Sequence, residues 1–121
     1  MRRKAIENLR AARDLLRAEI PSPNASATRA YYAAYHACWH RLQEEGYETP
    51  EQSGRRYWRH DSFPREILRA GIVDEENSET VEFLYSRRVI ADYFPDEIAP
   101  DEAVQLAATA GDLLRRFGIS E

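Results

Sequence analysis

Apolar side chains recur every three or four residues along most of the chain, beginning with Ala5, Ile6, Leu9, Ala12, Leu16 and Ile20. That spacing gathers them on one face of a helix over residues 3–19 and leaves an arginine-rich outer face. Pro21 ends it. Residues 22–26 read as a short connection with N-cap candidates, after which Ala27, Ala30, Tyr31, Ala34, Tyr35, Cys38 and Leu42 mark the second and most apolar helix, stopped by Gly46. Residues 47–60 lose the periodicity and hold Pro50 and Ser53-Gly54, so they read as the long loop. A short helix is expected from Phe63 or Pro64 to Ala70, with Gly71 just past its end. Residues 74–77 read as an acidic linker. Asn77 or Ser78 then caps a helix with inner positions Val81, Leu84, Tyr85, Arg88 and Ala91, closed by Pro95. Pro100 takes a first helical position, and Ala103, Val104, Ala107, Ala110, Leu114 and Phe117 form the last apolar face before Gly118. No strand-like alternation interrupts this series. The pattern predicts an all-α protein, an up-and-down antiparallel helical bundle of four long helices plus one short helix.

Composition supports that reading and narrows the setting. A chain of 121 residues, 43% apolar and 31% charged, fits one ordered domain over residues 1–121. Nothing approaches the roughly 18 consecutive apolar residues of a membrane span, and Met1-Arg2-Arg3-Lys4 runs into an amphipathic segment rather than an apolar signal core. A cytoplasmic location without a membrane partner is expected. Cys38 has no second cysteine in the chain, which removes a disulfide framework and a cysteine-based zinc site. Charge changes the picture more. The net value is −4, yet residues 2–17 are basic and residues 74–102 strongly acidic, so the acidic average leaves room for a local phosphate site. Of the basic residues only Lys4 is a lysine, and arginine binds phosphate in a bidentate way that lysine does not.

Candidate chemistry concentrates in Leu84-Tyr85-Ser86-Arg87-Arg88-Val89-Ile90-Ala91-Asp92-Tyr93. Arg88 and Asp92 stand one turn apart, either as a structural ion pair, worth about 0.2 to 0.5 kcal/mol on a helix surface, or as part of a phosphate site. In the second reading Arg87 or Arg88 holds the anion and Asp92 orients a neighbouring group. A carboxylate of ordinary acidity serves poorly as an acid, and its charge opposes a phosphodiester. Arg55-Arg56-Tyr57-Trp58-Arg59-His60 interleaves basic and aromatic residues and suits a phosphate-and-base surface. Trp58 reads equally as a core plug. His60 is the best placed histidine for a switch or acid–base role if the loop folds over the bundle. His36 and His40 share a face, but no third metal ligand is evident and no metal is expected. His36 reads as a hydrogen-bonded interface histidine and His40 as exposed. Tyr31, Tyr32 and Tyr35 read as core. The chain has no glycine-rich phosphate loop and no nucleophile elbow, and no cofactor is implied.

Several segments together resemble the prokaryotic HEPN family. Arg29-Ala30-Tyr31-Tyr32-Ala33-Ala34-Tyr35-His36-Ala37 is similar to the signature of its second helix. Arg59-His60 followed by Phe63 resembles its loop histidine and following aromatic. Leu84-Tyr85-x-x-Arg88-x-x-Ala91-Asp92-Tyr93 resembles the helix of the branch with an R-x-x-A-D-Y ending. The resemblance implies a helical bundle that often forms homodimers, frequently encoded beside a minimal nucleotidyltransferase in toxin–antitoxin or defence modules. It further implies that active members cut RNA without metal, by 2′-hydroxyl attack, with an arginine followed four to six residues later by a histidine. In the matching register Arg87 or Arg88 is present, but Asp92 stands where that histidine would be, which weighs against nuclease activity. The expected function is therefore binding of RNA, a nucleotide or a nucleotidyltransferase partner through Arg87, Arg88, Asp92, Tyr93 and the loop residues Arg55, Arg56, Trp58, Arg59 and His60. A metal-independent endoribonuclease, with Asp92 or His60 handling protons, and a structural interaction module without chemistry are the alternatives.

Overall fold

A computed structural model describes residues 1–120. Five helices carry most of them: α1 (Arg2–Arg17), α2 (Pro23–Glu44), α3 (Phe63–Arg69), α4 (Glu75–Tyr93) and α5 (Pro100–Arg116). The all-α expectation holds. The loop between α2 and α3 adds one small feature that the periodicity did not show, a two-stranded antiparallel hairpin of β1 (Glu51–Gln52) and β2 (Arg55–Arg56). Its tip is Ser53-Gly54, both at positive φ (52° and 82°), the backbone that a tight two-residue hairpin turn requires.

α2 is central because it is apolar on nearly every side. Ala27, Ala30, Ala33, Ala34 and Ala37 are buried, and such small side chains let α1, α4 and α5 approach closely around it. Contacts run in opposite senses along α1 and α2: the Ser26 hydroxyl donates to the Ala12 carbonyl at 2.7 Å, whereas His36 meets Asn8 at 3.2 Å. α4 likewise runs against α2, with Asn24 donating to the Ala91 carbonyl at 3.3 Å and Arg88 donating to the Tyr32 hydroxyl at 3.1 Å. Asn24 also accepts the backbone N–H of Ile98 at 2.8 Å, which ties the approach to α5 to the start of α2.

Three boundaries differ from the sequence expectation, each for a local reason. Residues 22–26 are not a connection: Pro23 starts α2, with its missing N–H placed where no intrahelical partner exists. Residues 74–77 are not a linker either. Asp74 is the N-cap of α4 and its carboxylate accepts the Asn77 N–H at 2.8 Å, so the acidic run lies on the positive end of the helix. Ile20 lies beyond the end of α1 and is 83% exposed, so it closes no core face. Among the described residues no helix is long and apolar enough to cross a membrane.

Candidate functional site

Val81 and Leu84 are buried on the face that α4 turns toward α2, and the next turn of that stripe carries Arg88. Its side chain is only 13% exposed, so the cation needs partners. It has four. Nε lies 2.9 Å from a carboxylate oxygen of Asp92, an ion-pair contact too oblique to count as a hydrogen bond. Nη2 donates to the Tyr32 hydroxyl, and the guanidinium lies 5.5 Å from the ring centres of both Tyr32 and Tyr93. The other Asp92 oxygen accepts the Thr28 hydroxyl at 2.5 Å, which anchors the pair to α2. Nη1 has no protein partner among the described residues.

The loop after the hairpin reaches the same face. Tyr35 donates its hydroxyl to the Trp58 carbonyl at 2.5 Å, and the Tyr31 hydroxyl lies 2.6 Å from Nδ1 of His60. The His60 ring sits 4.5 Å from that of Tyr35 and 5.7 Å from that of Tyr32, and stacks on Tyr85 at 6.2 Å with 14° between planes. His60 and Arg88 thus lean on one tyrosine ring although they come from different segments. Burial and then the Arg88 charge hold the His60 pKa below the ordinary imidazole value, against a smaller opposing effect of Asp61, so the ring is neutral at pH 7. Burial, reinforced by the neighbouring phenols, pushes the Tyr31 hydroxyl up, and burial does the same to Tyr35, so both keep their protons.

The remaining sequence candidates go elsewhere. Arg87 turns to α5, where Nε lies 2.6 Å from one Glu102 oxygen and Nη2 donates to the other at 2.9 Å. Neighbouring helical residues point about 100° apart, and the two arginines accordingly leave α4 toward different partners. Arg55 and Arg56 are exposed on β2, with Arg56 donating to the Thr49 carbonyl at 3.0 Å. Arg59 grips Asp61 through two hydrogen bonds, which raises the arginine's pKa and lowers the carboxylate's. Trp58 is buried against Phe63 with its indole N–H unpartnered, so it takes the core-plug alternative. His36 is the interface histidine, bonded to Asn8, with burial and then Lys4 lowering its pKa to about 4. His40 is half-buried rather than exposed and lies 3.6 Å from Glu44.

The model of the HEPN domain family matches residues 1–119. The chain belongs to the HEPN domain family. No curated protein matches it. The match spans α2, the loop and α4 alike, so the whole Arg88–His60 cluster lies inside the HEPN domain.

Sequence reasoning assigned Tyr31, Tyr32 and Tyr35 of this HEPN chain to the core and missed their second use. The rings of Tyr31 and Tyr35 are indeed buried, but the hydroxyls of Tyr31 and Tyr32 hold the candidates His60 and Arg88, and that of Tyr35 holds the Trp58 carbonyl. Thr28, one turn before Tyr32, was missed as well, and Tyr85, read as an inner position, was not expected to stack on His60. A signal existed: phenols buried in the middle of an apolar helix need hydrogen-bond partners that polar groups from other segments can supply.

Proposed function

We propose that this HEPN protein binds single-stranded RNA or a nucleotide through the face formed by Arg88, His60, Tyr32 and Tyr93. The observation that carries the reading is the arginine clamp. A guanidinium lies against two tyrosine rings with one terminal nitrogen unpartnered, and a neutral histidine leans on the same Tyr32 ring. Such a group donates to phosphate oxygens, and the 70% exposed Tyr93 ring offers a face for a base. We further read the chain as a single domain over residues 1–121, an up-and-down antiparallel bundle of four long helices plus one short. We place it in the prokaryotic branch with the R-x-x-A-D-Y helix, as a cytoplasmic homodimer of a toxin–antitoxin or defence module. Fluorescence anisotropy with a labelled short single-stranded RNA and a labelled nucleotide tests the binding. Arg88→Ala should keep its helical circular dichroism and lose affinity by about ten- to a hundredfold, the value of one charge-assisted contact. Unchanged affinity would sink the reading. A wild-type chain that binds neither probe would turn this face toward a minimal nucleotidyltransferase partner.

One observation favours a second reading. His60 stands in the same cluster as Arg88, so the histidine absent from position 92 has a counterpart in space. In an endoribonuclease the 2′-oxygen bonds to phosphorus, its proton passes to a base, the P–O5′ bond breaks, and the leaving oxygen takes up a proton. Cleavage of total RNA that persists in EDTA, leaves cyclic phosphate ends and disappears in His60→Ala would establish it. The same incubation without products would remove it.

A further inference from the structure

In the contact between the Tyr31 hydroxyl and His60, burial decides which group donates. Tyr31 is 0% exposed, and its only hydrogen-bond partner among the described residues is Nδ1 of His60. Two arrangements are conceivable. If Nδ1 carried a hydrogen and donated it, the phenolic hydrogen would be left buried with no acceptor, which costs the desolvation of a polar group. If the phenol donates, both groups are satisfied. Nδ1 is then the unprotonated nitrogen, and the ring's hydrogen sits on Nε2, which has no protein partner and is not sealed from solvent.

We infer that Tyr31 is a positioning residue: its buried hydroxyl fixes His60 as the tautomer with hydrogen on Nε2, so that His60 joins Arg88 as a hydrogen-bond donor to a phosphate-bearing ligand. This rests on the binding reading above for its ligand, though not for the tautomer itself. Its chemical content is a choice between the two functional readings. An outward N–H donates to a phosphate oxygen, whereas a general base at that position would need a bare nitrogen to receive the 2′-hydroxyl proton. Using Nε2 as a base requires moving the ring hydrogen to Nδ1 and reversing the Tyr31 bond, which leaves the phenolic hydrogen buried without an acceptor. The groups that face His60 are Tyr31, Tyr32, Tyr35 and His36 from α2, Tyr85 and Arg88 from α4, and Asp61 beside it in the loop. Arg88 disfavours the imidazolium and Asp61 favours it. The Tyr31 hydroxyl disfavours it too, because a protonated Nδ1 has a hydrogen where the phenol needs an acceptor.

Nitrogen-15 NMR of the free full-length protein tests this. In wild type the nitrogen strongly coupled to both carbon-bound ring hydrogens of His60, Nε2, should be the protonated one at pH 7. Tyr31→Phe removes only the oxygen, and the His60 pKa should then rise by about 0.5 to 1 unit, the worth of one neutral hydrogen bond. A bare Nε2 in wild type overturns the inference, as does a Tyr31→Phe protein of native circular dichroism whose His60 titrates unchanged. Should that variant fail to fold, the wild-type spectrum alone decides. Both measurements are made without RNA, so failure of the binding reading shows separately in the anisotropy.

Discussion

Asp92→Asn separates the structural from the functional work of the ion pair, because it should move stability and affinity in opposite directions. Asparagine keeps a carbonyl oxygen for the Thr28 hydroxyl and loses the charge facing Arg88. Its amide N–H groups then confront the Nε donor. An exposed helical pair is worth about 0.2 to 0.5 kcal/mol, and breaking a fully buried pair costs about 3 to 5 kcal/mol. Side-chain exposures of 13% for Arg88 and 29% for Asp92 place this pair between those limits. Arg88 also retains the Tyr32 hydroxyl and two rings, so a loss of about 1 to 2 kcal/mol is expected, equivalent to about 4 to 8 °C in Tm for a chain of this size. A double-mutant cycle with Arg88→Met, read by urea unfolding, should return a coupling of similar size. Affinity for RNA should rise by about two- to fivefold, since a carboxylate a few ångströms from the phosphate seat opposes it by about 0.5 to 1 kcal/mol when water screens the two charges. A coupling below about 0.3 kcal/mol would show that solvent screens the pair, and a weaker rather than tighter RNA complex would refute the assignment of the seat to Arg88.

Arg87→Ala should behave unlike Arg88→Ala. It removes the two-pronged contact with Glu102, so unfolding free energy should drop by about 1 to 2 kcal/mol, while RNA anisotropy stays within about twofold of wild type; an affinity loss equal to that of Arg88→Ala would return Arg87 to the site. Stability should also fall with pH in a defined window. His36 has a folded pKa of about 4 against an ordinary 6.5, so between those values the unfolded chain binds a proton that the folded one does not. Its contribution is complete above about pH 6.5 and is lost as the pH falls toward 4, and His60 acts in the same direction below its ordinary value. Urea midpoints measured from pH 7 to 4 should decline, and His36→Gln should flatten the decline; an unchanged slope in that variant would refute the assignment.

The helices were legible because their signal is local. Alanine and leucine spacing, Pro21, Pro95, Pro100 and the glycines after α2, α3 and α5 act within one or two turns, and the five helices lie close to where those residues put them. The capping of α4 was misread by one turn because Asp74, Asn77 and Ser78 are all competent caps, and only the backbone path shows that Asp74 accepts the Asn77 N–H. Ser78 instead donates to the Pro64 carbonyl at 2.8 Å, a bond across elements that no local pattern encodes. The same division holds for the site. Arg88, Asp92 and their one-turn spacing could be read directly, whereas the divergence of Arg87 toward Glu102 depends on where α5 packs. The approach of His60 was legible only as a condition on how the loop folds. It is met by two phenols, Tyr31 and Tyr35, whose hydroxyls take hold of His60 and Trp58 from the middle of an otherwise apolar helix.

Asp92 changes what this face can do more than the missing histidine at that position would suggest. With His60 neutral and the phenols protonated, Arg88 and Asp92 cancel, so the cluster carries no net charge. Long-range attraction for a polyanion then has to come from outside it, from exposed Arg55 and Arg56 on the hairpin and from Arg29. Within the cluster, the proposed binding would rest on oriented donors. Asp92 occupies the Nε side of the guanidinium and Tyr32 occupies Nη2, which leaves Nη1 as the unpartnered nitrogen. On the proposed binding reading, a phosphate oxygen held there would avoid the Nε side that the carboxylate occupies. The carboxylate therefore holds the Nε side of the arginine as well as neutralising it, and under the proposed binding reading such a site would gain its selectivity from where the donors point rather than from how much charge they carry.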